Sequence, residues 1–184
     1  MEVISLEEQN IMKNTVLMVV DVQNAIMEGK PHNEADFIQN LQKLIANARE
    51  SDIEVVYIQH DGKAGSPLEK NSKGWEIYGE IAPKTGEKVF NKIYNSSFKE
   101  TGLHEYLQGR GVGSIILTGM ATEFCIDTTC KVAFEHGYDM IIPKGATTTF
   151  GNEIISAELM IEHYEEKVWN GRFAKVVSID EVMK

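Results

Sequence analysis

The sequence predicts an α/β fold, a six-stranded parallel sheet flanked by helices on both faces, and three observations predict it. Apolar strand-like runs alternate with stretches of helical periodicity along the chain. The runs Thr15–Val20 and Ser114–Thr118 are apolar almost without interruption, as in strands covered on both sides. Asp21, His60 and Lys92 each close a strand-like run, and Cys125 stands just beyond another. In open parallel sheets, ligands collect at the carboxyl ends of strands, where the strand order reverses.

The first strand, Thr15 to Val20, stops at Asp21. Residues 35–49 repeat apolar side chains at helical spacing, with Phe37, Leu41, Leu44, Ile45 and Ala48 on one side. Residues 53–58 form a second strand. Between Gln59 and Thr85, Gly, Pro, Lys and Ser break every period, which predicts a long loop; such loops in compact domains are usually functional or mobile. Residues 88–91 make a short third strand. Thr101 caps a helix that runs to about Leu107 and is ended by Gly109 and Gly111. Residues 114–118 are the fourth strand, followed by a cysteine-bearing helix to about His136 and then Gly137. Residues 138–142 are the fifth strand, stopped by Pro143. A Thr- and Gly-rich loop (144–151), a long helix (153–168) and a sixth strand (174–178) complete the pattern. Strands joined through helices require right-handed crossovers, hence a parallel sheet. No repeat, low-complexity tract or linker divides residues 1–184, which are read as one domain with residues 1–14 as an N-terminal arm or short extra helix.

At 184 residues the chain is long enough to bury a sizeable core, and its 42% hydrophobic and 25% charged residues suit a soluble globular protein. Acidic residues number 28 against 18 basic ones, a net charge of −10. Nucleic-acid and anionic-membrane partners need clustered basic residues, so neither is expected. No apolar run reaches membrane-spanning length, and the acidic start of the chain lacks the parts of a signal peptide. Cys125 and Cys130 would point to different faces of a helix, so no disulfide between them is expected, and there is no zinc-type spacing. A reducing, cytoplasmic setting follows.

Cys125 ends the stretch Thr118-Gly119-Met120-Ala121-Thr122-Glu123-Phe124-Cys125, where an apolar run passes through small residues into a helix. A lone cysteine is usually a small buried hydrophobe. In the first turn of a helix, however, the dipole and free N–H groups favour a thiolate, the nucleophilic form. The site then suits attack on a carbonyl, with backbone donors for the oxyanion.

The segments Val19-Val20-Asp21-Val22-Gln23, Phe90-Asn91-Lys92 and 118–125 together resemble the isochorismatase-like cysteine hydrolases. That family includes nicotinamidases, N-carbamoylsarcosine amidases, streptothricin hydrolases and isochorismatases. The resemblance covers about residues 15–180, and the loop around Trp75 is most similar to the streptothricin-hydrolase-like branch. It implies a Rossmann-type three-layer fold with the same six-stranded sheet. It also implies that Cys125 is the nucleophile, Asp21 the base that takes its proton, and Lys92 the cation that holds both. A carboxylate alone would raise a nearby thiol pKa, so Lys92 is expected to bring it down. The resemblance places a cis peptide between Met120 and Ala121 and an oxyanion hole in the N–H groups of Ala121 and Cys125. It implies a small-molecule substrate, no cofactor, and a homo-oligomer, either dimer or tetramer.

The nicotinamidases carry an Asp-x-His pattern and further histidines after the second strand, and bind a divalent metal there. Here no histidine follows His60 until His104, and His60 with Asp61 makes a poor transition-metal site, so no metal is expected. Candidate substrate contacts are Gln23, His60, Trp75 as a lid, and Tyr94 and Phe98 as an aromatic wall. Each has a purely structural alternative: backbone bonding for Gln23 and His60, loop anchoring or an oligomer contact for the rings. Phe150 follows the fifth strand and approaches the same pocket or that of a neighbouring subunit. His163, Tyr164 and Trp169 read as packing or subunit-interface residues. The expected activity is cleavage of a C–N bond in a small amide or lactam through an acyl-enzyme. The alternatives are vinyl-ether hydrolysis of the isochorismatase type, nicotinamidase activity, and a catalytically silent binding protein.

Overall fold

Seven strands, one more than expected, form a single sheet in the computed structural model, which describes residues 14–182. The expected N-terminal arm lies, apart from Asn14, outside the described residues. In chain order the elements are β1 (Thr15–Val20), α1 (Asn24–Met27), α2 (Glu34–Glu50), β2 (Glu54–His60), β3 (Lys88–Lys92), α3 (Leu103–Gly109), β4 (Ser114–Met120), α4 (Asp127–Glu135), β5 (Asp139–Pro143), β6 (Thr147–Thr148), α5 (Ala157–His163), β7 (Lys175–Val177) and α6 (Ile179–Val182). The strands lie in the order β3-β2-β1-β4-β5-β7, with β6 beside β4, and the ladders between them are parallel.

Every residue of β1 and β4 is buried, as the unbroken apolar runs require of central strands. Alternation divides β1 between two cores. Val16, Met18 and Val20 face a cluster with Leu103 and Leu107 of α3 and Cys130 and Ala133 of α4. Leu17 and Val19 face Phe37, Leu41, Leu44 and Ile45 of α2. Each fully buried Leu, Ile, Val or Phe contributes about 1.5–3 kcal/mol of transfer free energy, so these faces hold the helices on the sheet.

The structure departs from the expected elements in four places. The Thr- and Gly-rich loop contains the two-residue strand β6, which pairs Gly119 with Thr147 and Met120 with Thr148. The long helix expected from residue 153 begins at Ala157, because Ser156 caps it, its side chain accepting the Leu159 N–H. Its last turns widen into a π-helix over Tyr164–Trp169. The cysteine does not open a regular α-helix. It lies in a π-helical turn, Thr122–Ile126, ahead of α4.

The strand order reverses between β1 and β4. The carboxyl ends of β3, β2, β1 and β4 therefore stand side by side and deliver Lys92, His60, Asp21 and the turn around Cys125 to one edge.

Candidate active site

Asp21 leaves β1 with φ 55°, in the left-handed region that Asp tolerates better than most residues. Its N–H still bonds to the Ile58 carbonyl at 2.9 Å, so the turn stays tied to β2. The carboxylate is buried, at 3% exposure. Its Oδ2 accepts from Lys92 Nζ at 2.6 Å, and its Oδ1 is buried without a hydrogen-bond partner.

The Lys92 side chain has no exposed surface. Besides Asp21, its ammonium donates to the Tyr94 carbonyl at 3.1 Å and to Cys125 Sγ at 3.2 Å. The three residues expected to act together thus meet at one atom, Lys92 Nζ. His60 Nδ1 lies 3.4 Å from the same nitrogen. Burial first, then the Lys92 charge, pushes the His60 pKa below its usual value, which favours the neutral ring.

The peptide bond between Met120 and Ala121 is cis, as the resemblance implies. The Ala121 carbonyl accepts the N–H groups of Phe124 at 3.1 Å and Ile126 at 3.2 Å. That pattern passes over Cys125 and leaves its N–H out of the bond. The thiol differs from expectation. Burial, then the Asp21 carboxylate, pushes it up to about 12, and Lys92 pulls the other way without prevailing. That shift favours the protonated thiol over the thiolate. Cys130 is fully buried among apolar side chains, and burial raises its thiol likewise to about 12. Both cysteines are free.

A cavity of about 370 Å³ opens above the sulfur, and Asp21, His60, Ala121 and Cys125 all line it. The apolar side chains around it are Ile26, Leu68, Met120, Phe124 and Phe150. A larger groove of about 990 Å³ between α2 and α5 contains none of the three residues that meet at Lys92.

Several expected substrate contacts lie elsewhere. Gln23 is fully buried beneath the site, and its amide is taken up by backbone. Nε2 donates to the carbonyls of His60 and Trp75 at 3.0 and 2.7 Å, and Oε1 accepts the His60 N–H at 2.9 Å. Trp75 anchors the long loop rather than lining the cavity. Its indole donates to Asp61 Oδ1 at 2.7 Å, and its carbonyl also accepts from Gln59 at 2.8 Å. Tyr94 reaches Lys92 through its carbonyl, while its ring lies under Lys99. Phe98 is a core residue, 8% exposed, packed against Tyr138 and His136. Trp169, fully buried, donates to Asp127 Oδ1 at 3.0 Å.

Asp61 has three donors: Trp75, Asn91 at 2.7 Å and Lys70 at 3.1 Å. Burial pushes its pKa up, but these donors outweigh burial and hold it below the usual carboxylate range. Among the described residues no group of three or more His, Cys, Asp or Glu is placed to hold a metal ion. Sequence reasoning missed Ile26, Leu68, Asn95 and Phe124 as cavity residues. Asn95 Oδ1 stands 3.9 Å from Cys125 Sγ; its place three residues after Lys92, in the loop leaving β3, was the available signal.

Fold and strand-end chemistry together define an enzyme of the doubly wound α/β class. The isochorismatase domain model matches residues 15–181. The chain belongs to the isochorismatase family and is a hydrolase of that family. It is 32% identical over 136 residues to the streptothricin hydrolase of Streptomyces noursei, covering 73% of this chain and 49% of that one, so it spans about half of that relative. It is 28% identical over 180 residues to the ureidoacrylate amidohydrolase RutB of Variovorax paradoxus, covering 77% of this chain and 71% of the relative. A crystal structure of an isochorismatase family protein superposes with a TM-score of 0.85 at 26% identity, covering 91% and 99% of the two chains.

Proposed function

We propose that this protein is a cysteine hydrolase that cleaves a C–N bond of a small amide or lactam through an acyl-enzyme on Cys125. The observation that carries the reading is the single buried ammonium, Lys92 Nζ, within hydrogen-bond reach of both Asp21 Oδ2 and Cys125 Sγ.

In this reading the resting thiol keeps its proton until substrate arrives, in accord with its raised pKa. As Sγ attacks the amide carbonyl, the S–H proton passes to Asp21, whose Oδ1 has no other partner. Lys92 stays charged and lowers the energy of the sulfur anion at the moment it forms. The N–H groups of Ala121 and Cys125 receive the oxyanion. Collapse breaks the C–N bond, and the proton on Asp21 goes to the leaving nitrogen. Asp21, again a carboxylate, then takes a proton from water, whose oxygen attacks the thioester. The acid leaves, and the proton returns to Sγ. No metal enters these steps. Support for amide substrates comes from the relatives, two of which are named for hydrolysis, one of an amide.

The test is a panel of nicotinamide, carbamoyl amines and lactams assayed with and without chelator. Cys125→Ala is expected to abolish turnover, about 10³-fold or more, while leaving the fold intact. Full activity in that variant would refute the reading.

A further inference from the structure

We propose, resting on the amide-hydrolase reading, that the cavity above Cys125 selects small amides that carry no negative charge and lay a flat apolar body against Phe124 and Phe150, and that it turns anionic substrates away.

Charge is the first ground. Of the described residues that line the cavity, Asp21 and Glu123 are acidic and none is Lys or Arg. The nearest cation, Lys92, has no exposed side-chain surface, and its donors go to Asp21, the Tyr94 carbonyl and Cys125. A substrate carboxylate entering the cavity would find no cation among its lining residues and would face two carboxylates. Glu123 strengthens this wall, because its Oε2 is buried with no hydrogen-bond partner. An isochorismate-like dicarboxylate is therefore the substrate class least suited to the site.

Apolar surface is the second ground. Phe124 is 56% exposed and Phe150 50%, beside a nucleophile that is itself partly covered. Ile26, Leu68 and Met120 extend the same surface. Exposed rings at the mouth of a small cavity present an apolar face for a planar group.

The mouth is also built rather than loose. Thr149, next to Phe150, donates to Glu123 Oε1 at 2.9 Å, which ties the Phe150 segment to the cysteine turn. Thr148 donates to the His32 carbonyl at 2.7 Å. A Cβ on Gly29 would lie 2.9 Å from the Phe150 ring, so the absence of a side chain there makes room for the ring. Phe124 follows Glu123 directly, so one carboxylate organises both halves of the mouth.

The test measures modification of Cys125 by methanethiosulfonates bearing a benzyl, a trimethylammonium-ethyl or a sulfonatoethyl group. Each rate is divided by that for 2-mercaptoethanol, and the site is assigned by mass spectrometry. The sulfonate reagent is expected to be slower than the other two by about tenfold or more, and to stay slower in about 0.5 M salt, where the field of the whole acidic protein is screened. Phe150→Ala and Phe124→Ala should each slow the benzyl reagent about threefold more than they slow the cationic one. Equal rates for sulfonate and trimethylammonium reagents, or no selective loss of benzyl in either variant, would overturn the proposal. A second arm compares turnover of benzamide with that of 4-carbamoylbenzoate, where benzamide is expected to lead by about tenfold. If neither these amides nor any member of the nicotinamide, carbamoyl-amine and lactam panel is hydrolysed but the labelling pattern holds, the amide-hydrolase reading fails and the selectivity stands. If both are hydrolysed equally, the selectivity fails and the hydrolase reading stands.

Discussion

A lysine with no exposed side-chain surface is costly to bury unless it is paired and hydrogen-bonded, and Lys92 is both. Lys92→Met would leave Asp21 buried without its counter-charge. The expected loss is about 3–5 kcal/mol in urea denaturation, with part recovered in the Asp21→Asn, Lys92→Met double variant. Wild-type stability in the single variant would show that the pair is not buried as described. The thiol gives a separate test. Because burial and Asp21 raise it to about 12, iodoacetamide should label Cys125 slowly at pH 7 and ever faster as the pH rises to about 9, below the range in which the fold loses stability. A labelling plateau near neutral pH would mean a standing thiolate. The placement of Asp21, His60, Lys92 and the Cys125 turn at one edge was legible in the sequence, because each lies at or just past a strand end; singling out Asp21, Lys92 and Cys125 among them took the family resemblance. The pKa of Cys125 was not legible. It depends on how fully the sulfur is covered and on the balance of Asp21 against Lys92, and neither follows from spacing.

Between elements, β1 and β4 leave no room for a side chain at Gly119. Gly119 sits at φ 119°, and a Cβ there would lie 2.1 Å from the Val20 carbonyl oxygen. Gly119→Ala must therefore part the two strands that carry Asp21 and the Cys125 turn. The expected cost is about 2 kcal/mol or more, with a loss of activity beyond what the unfolded fraction explains. Native-like kcat and Tm would contradict this placement. The strands and the α2 stripe were readable because period and burial agree in them. Strand β6 was not, since two threonines carry no periodicity. The aromatic wall was misassigned for a related reason. Phe98 and Phe124 both follow strand ends, and only the packing sends Phe98 inward against Tyr138 and leaves Phe124 at the cavity mouth. Gln23 and Trp75 were near the site, but as the struts that join β1, β2 and the long loop.

For the whole molecule, several buried or partly buried acids carry pKa values raised to about 12: the thiols of Cys125 and Cys130 and the phenols of Tyr57 and Tyr106. Burial is the largest cause in each. A group whose folded pKa lies above its unfolded value contributes stability that is fully present below the unfolded pKa and is lost as pH rises through the folded one. The unfolded thiols ionise near pH 8.5 and the phenols near pH 10, so stability should hold at pH 7 and fall between about pH 9 and 12. Denaturation midpoints across that range check this, and a flat profile would contradict it. Cys130→Ala should shallow the fall. Among the described residues no helix is long and apolar enough to cross a membrane.

The central claim is that Asp21, Lys92 and Cys125 act as one unit on a carbonyl. Its most direct measurement is rapid acid quench of the enzyme during amide turnover, followed by peptide mass spectrometry. An acyl mass on the Cys125 peptide, present in the wild type and lost in Asp21→Asn, is the expected result. Turnover with no adduct on that peptide, or with an adduct that persists unchanged in Asp21→Asn, would contradict the account.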